Sequence, residues 1–397
     1  MKNNRTFLEK LLDGAEVEWK TLDEISSIYG GLTGKGKADF ENGNALYVPY
    51  KNIFNNIEVD FNNLDTVNVS DDEKQYAIKY GDVLFTGSSE TAEEAGMSSA
   101  VTTKTEQKIH LNSFSFGLRF NDDVELLPEF SKFLFRTLSI RKEIVKSASG
   151  VTRFNISKAR FKKIKIPIPP LSVQTEIVKI LDALTALTSE LTSELILRQK
   201  QYEYYREKLL SEEELGKVGF EWKTLDQISE NLDSKRKPIT SGLRTSGKIP
   251  YYGASGIVDY VKDYIFDGDF LLISEDGANL LARNTPIAFS ASGKIWVNNH
   301  AHILKFETYE ERRFIEFYLN KIDLTPYISG AAQPKLNKKN LNSIKFPIPS
   351  IPEQQRIVSI LDKFETLTNS ITEGLPLAIE QSQKRYEYYR ELLLNFK

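Results

Sequence analysis

The chain has no cysteine and only three histidines, His110, His300 and His302, among 397 residues. Disulfides and thiolate metal sites are therefore excluded, and little imidazole is left to bind zinc. No apolar run approaches the roughly 18 to 20 residues of a membrane span. The start, MKNNRTFLEKLLDGAEVEW, lacks the apolar centre of a secretory signal, so the expected location is the cytoplasm. Net basicity, the usual footprint of phosphate binding, is missing too: 52 Lys and Arg against 55 Asp and Glu give −3.

The distribution of charge says more than its sum. Residues 151–165, VTRFNISKARFKKIK, carry Arg153, Lys158, Arg160, Lys162, Lys163 and Lys165 with no acid, and 232–248, LDSKRKPITSGLRTSGK, is nearly as one-sided. Acids gather at 70–73, 90–94, 212–214 and 307–311. Such segregation suits a protein that holds a polyanion on one face and partners on another. A solvated lysine-rich surface is the plainer alternative.

Three blocks occur twice, in the same order. EWKTL stands at Glu18–Leu22 and Glu221–Leu225, IPIPPLSVQTEIVKILD (166–182) returns as FPIPSIPEQQRIVSILD (346–362), and QKQYEYYREKLL from Gln199 returns as QKRYEYYRELLL from Gln383. Trp19 and Trp222 stand 203 residues apart, Pro167 and Pro347 180, and Tyr202 and Tyr386 184, so the first interior is 23 residues longer. A period near half the chain means two domains of common plan rather than a solenoid. Similarity confined to the flanks implies interiors that diverged to recognise different things.

Each interior reads as short strands punctuated by glycine turns, as in QYAIKYGDVLFTGS and DYIFDGDFLLISEDG, with helical spacing late in each copy at 127–148 and 309–322. This predicts an α+β domain of roughly 120 to 150 residues per copy. A turn at each Pro-Ile-Pro ends the domain, and a long helix follows. In the first helix Ile177, Leu181, Leu184, Thr188, Leu191, Leu195, Arg198, Tyr202, Tyr205 and Leu209 form a heptad seam. The second seam runs Ile357, Leu361, Phe364, Thr368, Ile371, Leu375, Ile379, Ser382, Tyr386, Tyr389 and Leu393; its four extra residues read as a stutter, or as a break near Gly374 and Pro376. Two helices with equivalent seams are expected to pair through Ile177, Leu181, Leu184, Leu191, Leu195, Tyr202 and Leu209 on one and Ile357, Leu361, Phe364, Ile371, Tyr386 and Leu393 on the other.

Together these blocks, with KIPYYGASGIVDYV and VNNHAHIL in the second interior, resemble the specificity subunits of type I restriction-modification systems over essentially the whole chain. The resemblance implies a fold of two α/β target-recognition domains separated by two long helices in an antiparallel coiled coil, a pseudo-two-fold internal repeat. Its parts are an N-terminal helical segment (1–16), a first recognition domain (17–168), a central helical region (169–216), a second recognition domain (217–348) and a C-terminal helical region (349–397). It also implies that each domain reads one half of a bipartite DNA sequence and that the helices set the spacer and dock two methyltransferase subunits. Restriction subunits join through those. S-adenosylmethionine belongs to the methyltransferase, and ATP and Mg to the restriction subunit, with no cofactor on this chain. The N-terminal Phe7–Leu12 resembles the REKLL that ends the first helix, and is expected to pack near the end of the second.

No catalytic or metal residue is expected. The Asn/Asp-Pro-Pro-aromatic loop of an adenine methyltransferase is missing. GGLTGKGK (30–37) departs from a phosphate loop, with Gly36 where spacing and chemistry need another residue. Glu18-Trp-Lys20 and Glu221-Trp-Lys223 have a nuclease-like Glu-x-Lys spacing but no evident partner acid in both copies, and read instead as a strand or turn opening each domain with Trp19 and Trp222 buried. His300 and His302 would share a strand face as a metal pair, yet no third ligand is evident, which favours structural or DNA-contact roles.

DNA reading needs cations for phosphates and polar groups for base edges. The candidates are Lys35, Lys37, Tyr50, Lys51, Thr86, Ser88, Ser89, Arg153 and Asn155 in the first domain. In the second they are Lys235, Arg236, Lys237, Tyr251, Tyr252, Ser255, Asn298, His300, Gln333 and Lys335. Exposed Tyr204, Arg206, Tyr388 and Arg390 are candidates for partner contact. The rival readings are a self-sufficient DNA nuclease or methyltransferase, and a coiled-coil structural protein without DNA affinity.

Overall fold

A computed structural model describes residues 6–330 and 332–396. The chain divides into two compact units, Met1–Glu190 with Ile379–Lys397, and Leu191–Ala378.

The repeated motifs have local physical causes. Glu18–Thr21 pairs antiparallel with Lys165–Ile168, and Phe220–Lys223 with Phe346–Pro349, so the Pro-Ile-Pro segments are strands rather than turns. Trp19 lies opposite Pro167 and Trp222 opposite Pro347. Proline is tolerated because a two-stranded ribbon leaves one edge of each strand free of ladder bonds. The Trp side chains are not buried as expected: they are 44% and 46% exposed, since a ribbon this narrow has nothing to cover both faces. Glu18 and Lys20, on one face, pair with each other at 2.7 Å, and Glu221 and Lys223 at 3.2 Å.

Each ribbon strand runs directly into a capped turn of helix, where the Thr21 amide donates to the Glu24 carboxylate at 2.7 Å and the Thr224 amide to the Gln227 amide oxygen at 2.9 Å. Just inside the following helices, buried Gln174 and Gln354 each donate from Nε2 to the carbonyl of the proline five residues back, Pro169 at 2.8 Å and Pro349 at 2.9 Å. These bonds fix the angle at which each helix leaves its domain.

The first unit holds a four-stranded antiparallel sheet in the order Ser26–Gly30, Ser115–Phe120, Val83–Thr86, Ser98–Ala100, and two three-stranded sheets. Its core is aromatic: Phe85 stacks on Phe116 at 5.4 Å and meets Phe161 edge-on at 4.9 Å. The helical stretch expected at 127–148 is two helices, Pro128–Leu134 and Leu138–Ser147, the second capped by the Thr137 hydroxyl. Val173, Ile177 and Leu181 at the start of the long helix share this core with Leu393, Leu394 and Phe396 at the chain's end. Leu8 of the short helix Phe7–Leu12 joins the same cluster, next to the end of the second helical region as expected.

The second unit is built on a six-stranded sheet in the order Glu230–Asn231, Ala301–Lys305, Phe266–Ser274, Ala288–Val297, Ser246–Gly253, Gly256–Val261. The helix Tyr309–Lys321 packs on it and buries Phe314, Ile315 and Phe317. Leu209 and Leu210, at the end of the long helix, share that core with Ile357, Val358 and Leu361 at the start of the next. In both units, then, the start of one helical region lies beside the end of the other, the antiparallel sense.

Leu171–Leu209 is one helix of 39 residues, about 58 Å long. The second region is not: Ile351–Asn369 and Gly374–Leu393 are separate helices, and the break, at Ser370–Glu373, falls just ahead of the expected Gly374 and Pro376, which open the next helix. Gly374 has φ +77, and a Cβ there would lie 2.5 Å from the Thr366 carbonyl, so the break requires glycine. Ile371, expected in the seam, is instead 80% exposed in this break. The impurities of the seam pair with each other where they meet, Thr188 Oγ1 lying 2.8 Å from Ser382 Oγ.

Candidate nucleic-acid interface

In the first unit, residues separated by about a hundred positions converge. Tyr50, Lys51, Ser88, Ser89 and Arg153 line one open cavity of about 580 Å³, together with Phe54, Glu90, Glu94, Phe114 and Thr152. Ser88–Ser89 pairs with Phe154–Ile156, which brings the basic loop beside the short helix Tyr50–Asn55. The Tyr50 hydroxyl donates to the Ser88 carbonyl at 2.8 Å, its ring stacks on Phe54, and burial pushes its phenol above the ordinary value. Exposed Asn155 sits on the paired strand and exposed Lys37 apart from the cavity.

Two arginines that the sequence reading did not single out hold the cavity walls. Arg136 donates to the carbonyls of Ile53, Phe54, Asn56 and Ser98, fixing the helix that carries Tyr50 and Lys51. Arg141 donates to the carbonyls of Glu93, Ala95 and Gly96, fixing the loop that carries Glu90 and Glu94. Burial lowers both guanidinium values to about 10, which leaves them charged at neutral pH. Nothing in the helical pattern marks them, because an arginine bound to carbonyls and one in solvent occupy the same position in a sequence.

In the second unit the candidates surround a buried ionic cluster. His302 Nε2 lies 2.7 Å from the Leu336 carbonyl, an acceptor only, so this nitrogen carries hydrogen, while Nδ1 lies 2.6 Å from the Asp233 carboxylate. Glu275 bridges Arg236 at 2.7 Å and Lys335 at 3.2 Å. Burial by itself raises the Asp233 carboxyl, but the His302 bond and charge and the Ile303 amide outweigh it, and the value falls below the ordinary one. Glu275 behaves likewise, burial being outweighed by Arg236, His302 and Lys335. Asp233, Glu275 and His302 present donors of a metal-binding kind within 4.8 Å of one another. Those donors are already committed to a carbonyl, an arginine and a lysine, a set that suits an ion-pair network better than a cation. His300 is not its partner: it precedes the strand, is exposed, and places Nδ1 2.8 Å from Asp276.

Several expected contact residues are structural. Lys35 is spent on Glu73 at 2.5 Å, whose carboxyl is held at about 2 by the Lys35 and Gln75 bonds. The buried Thr86 hydroxyl accepts from the Met97 amide, and that of Ser89 donates to the Thr91 carbonyl. Arg236 is held by Glu275 and the Ala301 carbonyl. Tyr251 is 1% exposed, with its hydroxyl accepting from the Ile239 amide, because its strand position faces the core. Asn298 is buried, and its side-chain oxygen accepts from the His300 amide, positioning that histidine. Lys235, Lys237, Ser255, His300 and Gln333 are exposed, Lys335 is half-exposed, and Tyr252 is partly buried against Phe289.

On the helices Tyr204 and Tyr388 are 57% and 64% exposed and each makes an edge-on pair with the next tyrosine. Arg206 and Arg390 are not exposed as expected: they fold over the rings of Tyr202 and Tyr386, at 5.7 and 5.6 Å. The two copies of YEYYRE thus build the same side-chain arrangement.

Comparison with known proteins agrees with this repeated plan. Residues 15–198 and 217–381 each match the family model for the type I restriction modification DNA specificity domain. A Haemophilus influenzae protein provisionally named a type I restriction enzyme specificity subunit is 40% identical over the full length of both chains. The EcoR124I/EcoR124II specificity subunit of Escherichia coli is 34% identical, over 98% of this chain and 97% of that one. The fold is shared with the crystal structure of the S subunit from M. genitalium, at a TM-score of 0.54 and 18% identity over 97% of this chain and 98% of the other. The chain belongs to the family of DNA specificity subunits of type I restriction-modification systems, whose members are not themselves catalytic.

Proposed function

We propose that this chain reads a bipartite DNA target, one half-site with residues 17–168 and the other with 217–348, and works in the cytoplasm. The observation that carries this reading is the repetition of one frame around two unlike interiors, a four-stranded sheet with an aromatic cavity in one and a six-stranded sheet with an ionic cluster in the other. Similar frames give similar mounting, and different interiors give different sequences read. In the first domain the contacts come from Lys37, Tyr50, Lys51, Ser88, Arg153 and Asn155. In the second they come from Lys235, Lys237, Tyr252, Ser255, His300, Gln333 and Lys335. The N-terminal segment 1–16 and the helical regions 169–216 and 349–397 join the domains and set the spacer between half-sites.

Two methyltransferase subunits dock on the helical regions, with Tyr204 and Tyr388, similarly exposed in the two copies, as contacts. They bind S-adenosylmethionine, and restriction subunits using ATP and Mg join through them. The test is a genome-wide map of modified adenines in the source cells with this chain present and deleted. Loss of one split motif, two short blocks around a fixed gap, supports the reading. If a reconstituted complex with the methyltransferase binds DNA without sequence preference and leaves every such motif unmodified, the reading fails. Binding should weaken steeply with salt, as phosphate contacts release counterions.

A further inference from the structure

We propose that the cavity of the first domain reads a G·C base pair from its major-groove edge, with Arg153 on guanine and Glu90 on cytosine. The inference rests on the DNA-reading function proposed above. Arg153 and Glu90 both line the cavity, and among the described residues neither side chain has a hydrogen bond or ion pair. Opposite charges that share a cleft of about 580 Å³ without pairing leave a donor fork and a carboxylate acceptor both open to a ligand that displaces water. Arg153 is oriented by the exposed Phe114 ring 6.0 Å beneath it. Its loop is set by Gly150, at φ +150, where a Cβ would lie 1.9 Å from the Arg153 carbonyl.

A third polar group points the same way. Ser88 is 8% exposed, and its hydroxyl has no partner among the described residues. The residue is more than nine-tenths buried and lines the cavity. Lys51, exposed at the mouth, supplies a cation for a phosphate.

Only one base pair matches this set. Across the major groove G·C offers acceptor, acceptor, donor: guanine N7, guanine O6, cytosine N4. A guanidinium takes the two adjacent acceptors and a carboxylate takes the donor. A·T offers acceptor, donor, acceptor, which splits the pair of acceptors that the fork needs. A bare phosphate surface gives no reason for Glu90, which would repel it.

The test uses the complex with its methyltransferase and the motif read from the adenine map. Binding is measured to duplexes in which each base pair of the motif is changed in turn, for the natural protein and for Arg153→Ala, Arg153→Lys and Glu90→Ala. Both residues are exposed, so folding is not at risk, and thermal melts verify it. The expected result is a loss of about tenfold to a hundredfold in discrimination at one G·C position of one half-site, shared by the Arg153 and Glu90 variants. Arg153→Lys keeps overall affinity but not discrimination. Equal weakening on all sequences, a relaxed position that is A·T, or no change would overturn the inference while leaving the bipartite reading intact. Absence of any split motif for the natural protein would overturn both.

Discussion

Replacing His302 by leucine should destabilise the second unit by about 3–5 kcal/mol, because it removes one partner of a buried charge and leaves the rest in place. The side chain is 1% exposed and bonds Asp233 and the Leu336 carbonyl, so its loss strands that carbonyl and leaves the buried Asp233 Oδ2 with only the longer bond from the Asn231 amide, at 3.2 Å. Such a loss is a large share of the roughly 5–15 kcal/mol that holds a domain. Trp222 and Trp296 lie in the second unit and Trp19 in the first, so urea unfolding followed by fluorescence in a Trp19→Phe background reports the second unit. At a slope of about 2 kcal/mol per molar the midpoint falls by roughly 2 M. The loss should depend on pH. Asp233 and Glu275 sit below their ordinary values, so their contribution is present above about pH 4 and disappears as pH falls through the lower folded values. Without His302, burial raises Asp233, and the stranded charge costs most near neutrality. The gap between the two proteins should therefore narrow on acidification. A loss under about 1 kcal/mol at pH 7, or a gap that widens toward pH 3, would refute the reasoning.

The duplicated glutamines supply a matched comparison. Gln174 accepts from the Leu127 amide and donates to the Glu125 and Pro169 carbonyls, whereas Gln354 donates to Pro349 and its buried oxygen has no partner among the described residues. Gln174→Leu should cost about 2–4 kcal/mol and Gln354→Leu about 1 or less; equal losses in denaturant titrations would contradict the bonding described. Gly374→Ala should cost clearly more than Gly14→Ala, although both have positive φ, because only at Gly374 does a Cβ meet backbone. Melting temperatures of the two variants decide it, with a similar drop counting against the clash. Deleting Ser370–Glu373 should alter the gap between half-sites or abolish modification while leaving both half-sequences as they were; the adenine map reads this, and a changed half-sequence would show that the break does not serve as spacer.

Much of the frame was legible because its causes are local. EWKTL, the Pro-Ile-Pro segments and YEYYRE stand out because each occurs twice, but the pairing of Trp19 with Pro167 and of Trp222 with Pro347 joins segments far apart in sequence, so the Pro-Ile-Pro segments read as turns and the tryptophans as buried. The seam was legible where it is buried, at Ile177, Leu181, Ile357 and Leu361, and misleading at Ile371, where periodicity alone could not decide between a stutter and a break. The glycine with a forced positive φ decides it. Site residues were harder. Tyr50, Lys51, Ser88 and Arg153 are brought together only by strand pairing between distant segments, and polar type does not separate Arg153 in solvent from Arg236 in an ion pair. Phe114 and Glu90 were missed because neither resembles a DNA contact until the cavity puts them beside a cation.

The two domains mount their contact residues by opposite chemical means. In the first, Arg136 and Arg141 grip backbone carbonyls, so the walls are held whatever side chains they bear, and Glu90, Glu94 or Lys51 can change without loosening their support. In the second, the supports are themselves side chains on the contact segments: Asp233 and Arg236 flank Lys235, and Glu275 binds Lys335 directly. A substitution there alters support and contact together. It follows that new specificity should be reachable by single substitutions in the first cavity, whereas the second domain should need coordinated changes. Saturation of Glu90 and of Lys335, each scored for both melting temperature and motif, distinguishes these cases. Stability should be nearly flat at Glu90 while the motif varies. At Lys335 the two should move together, since every replacement except arginine also removes a cation from Glu275; uncharged variants of Lys335 that change motif at constant stability would show that the network does not couple them.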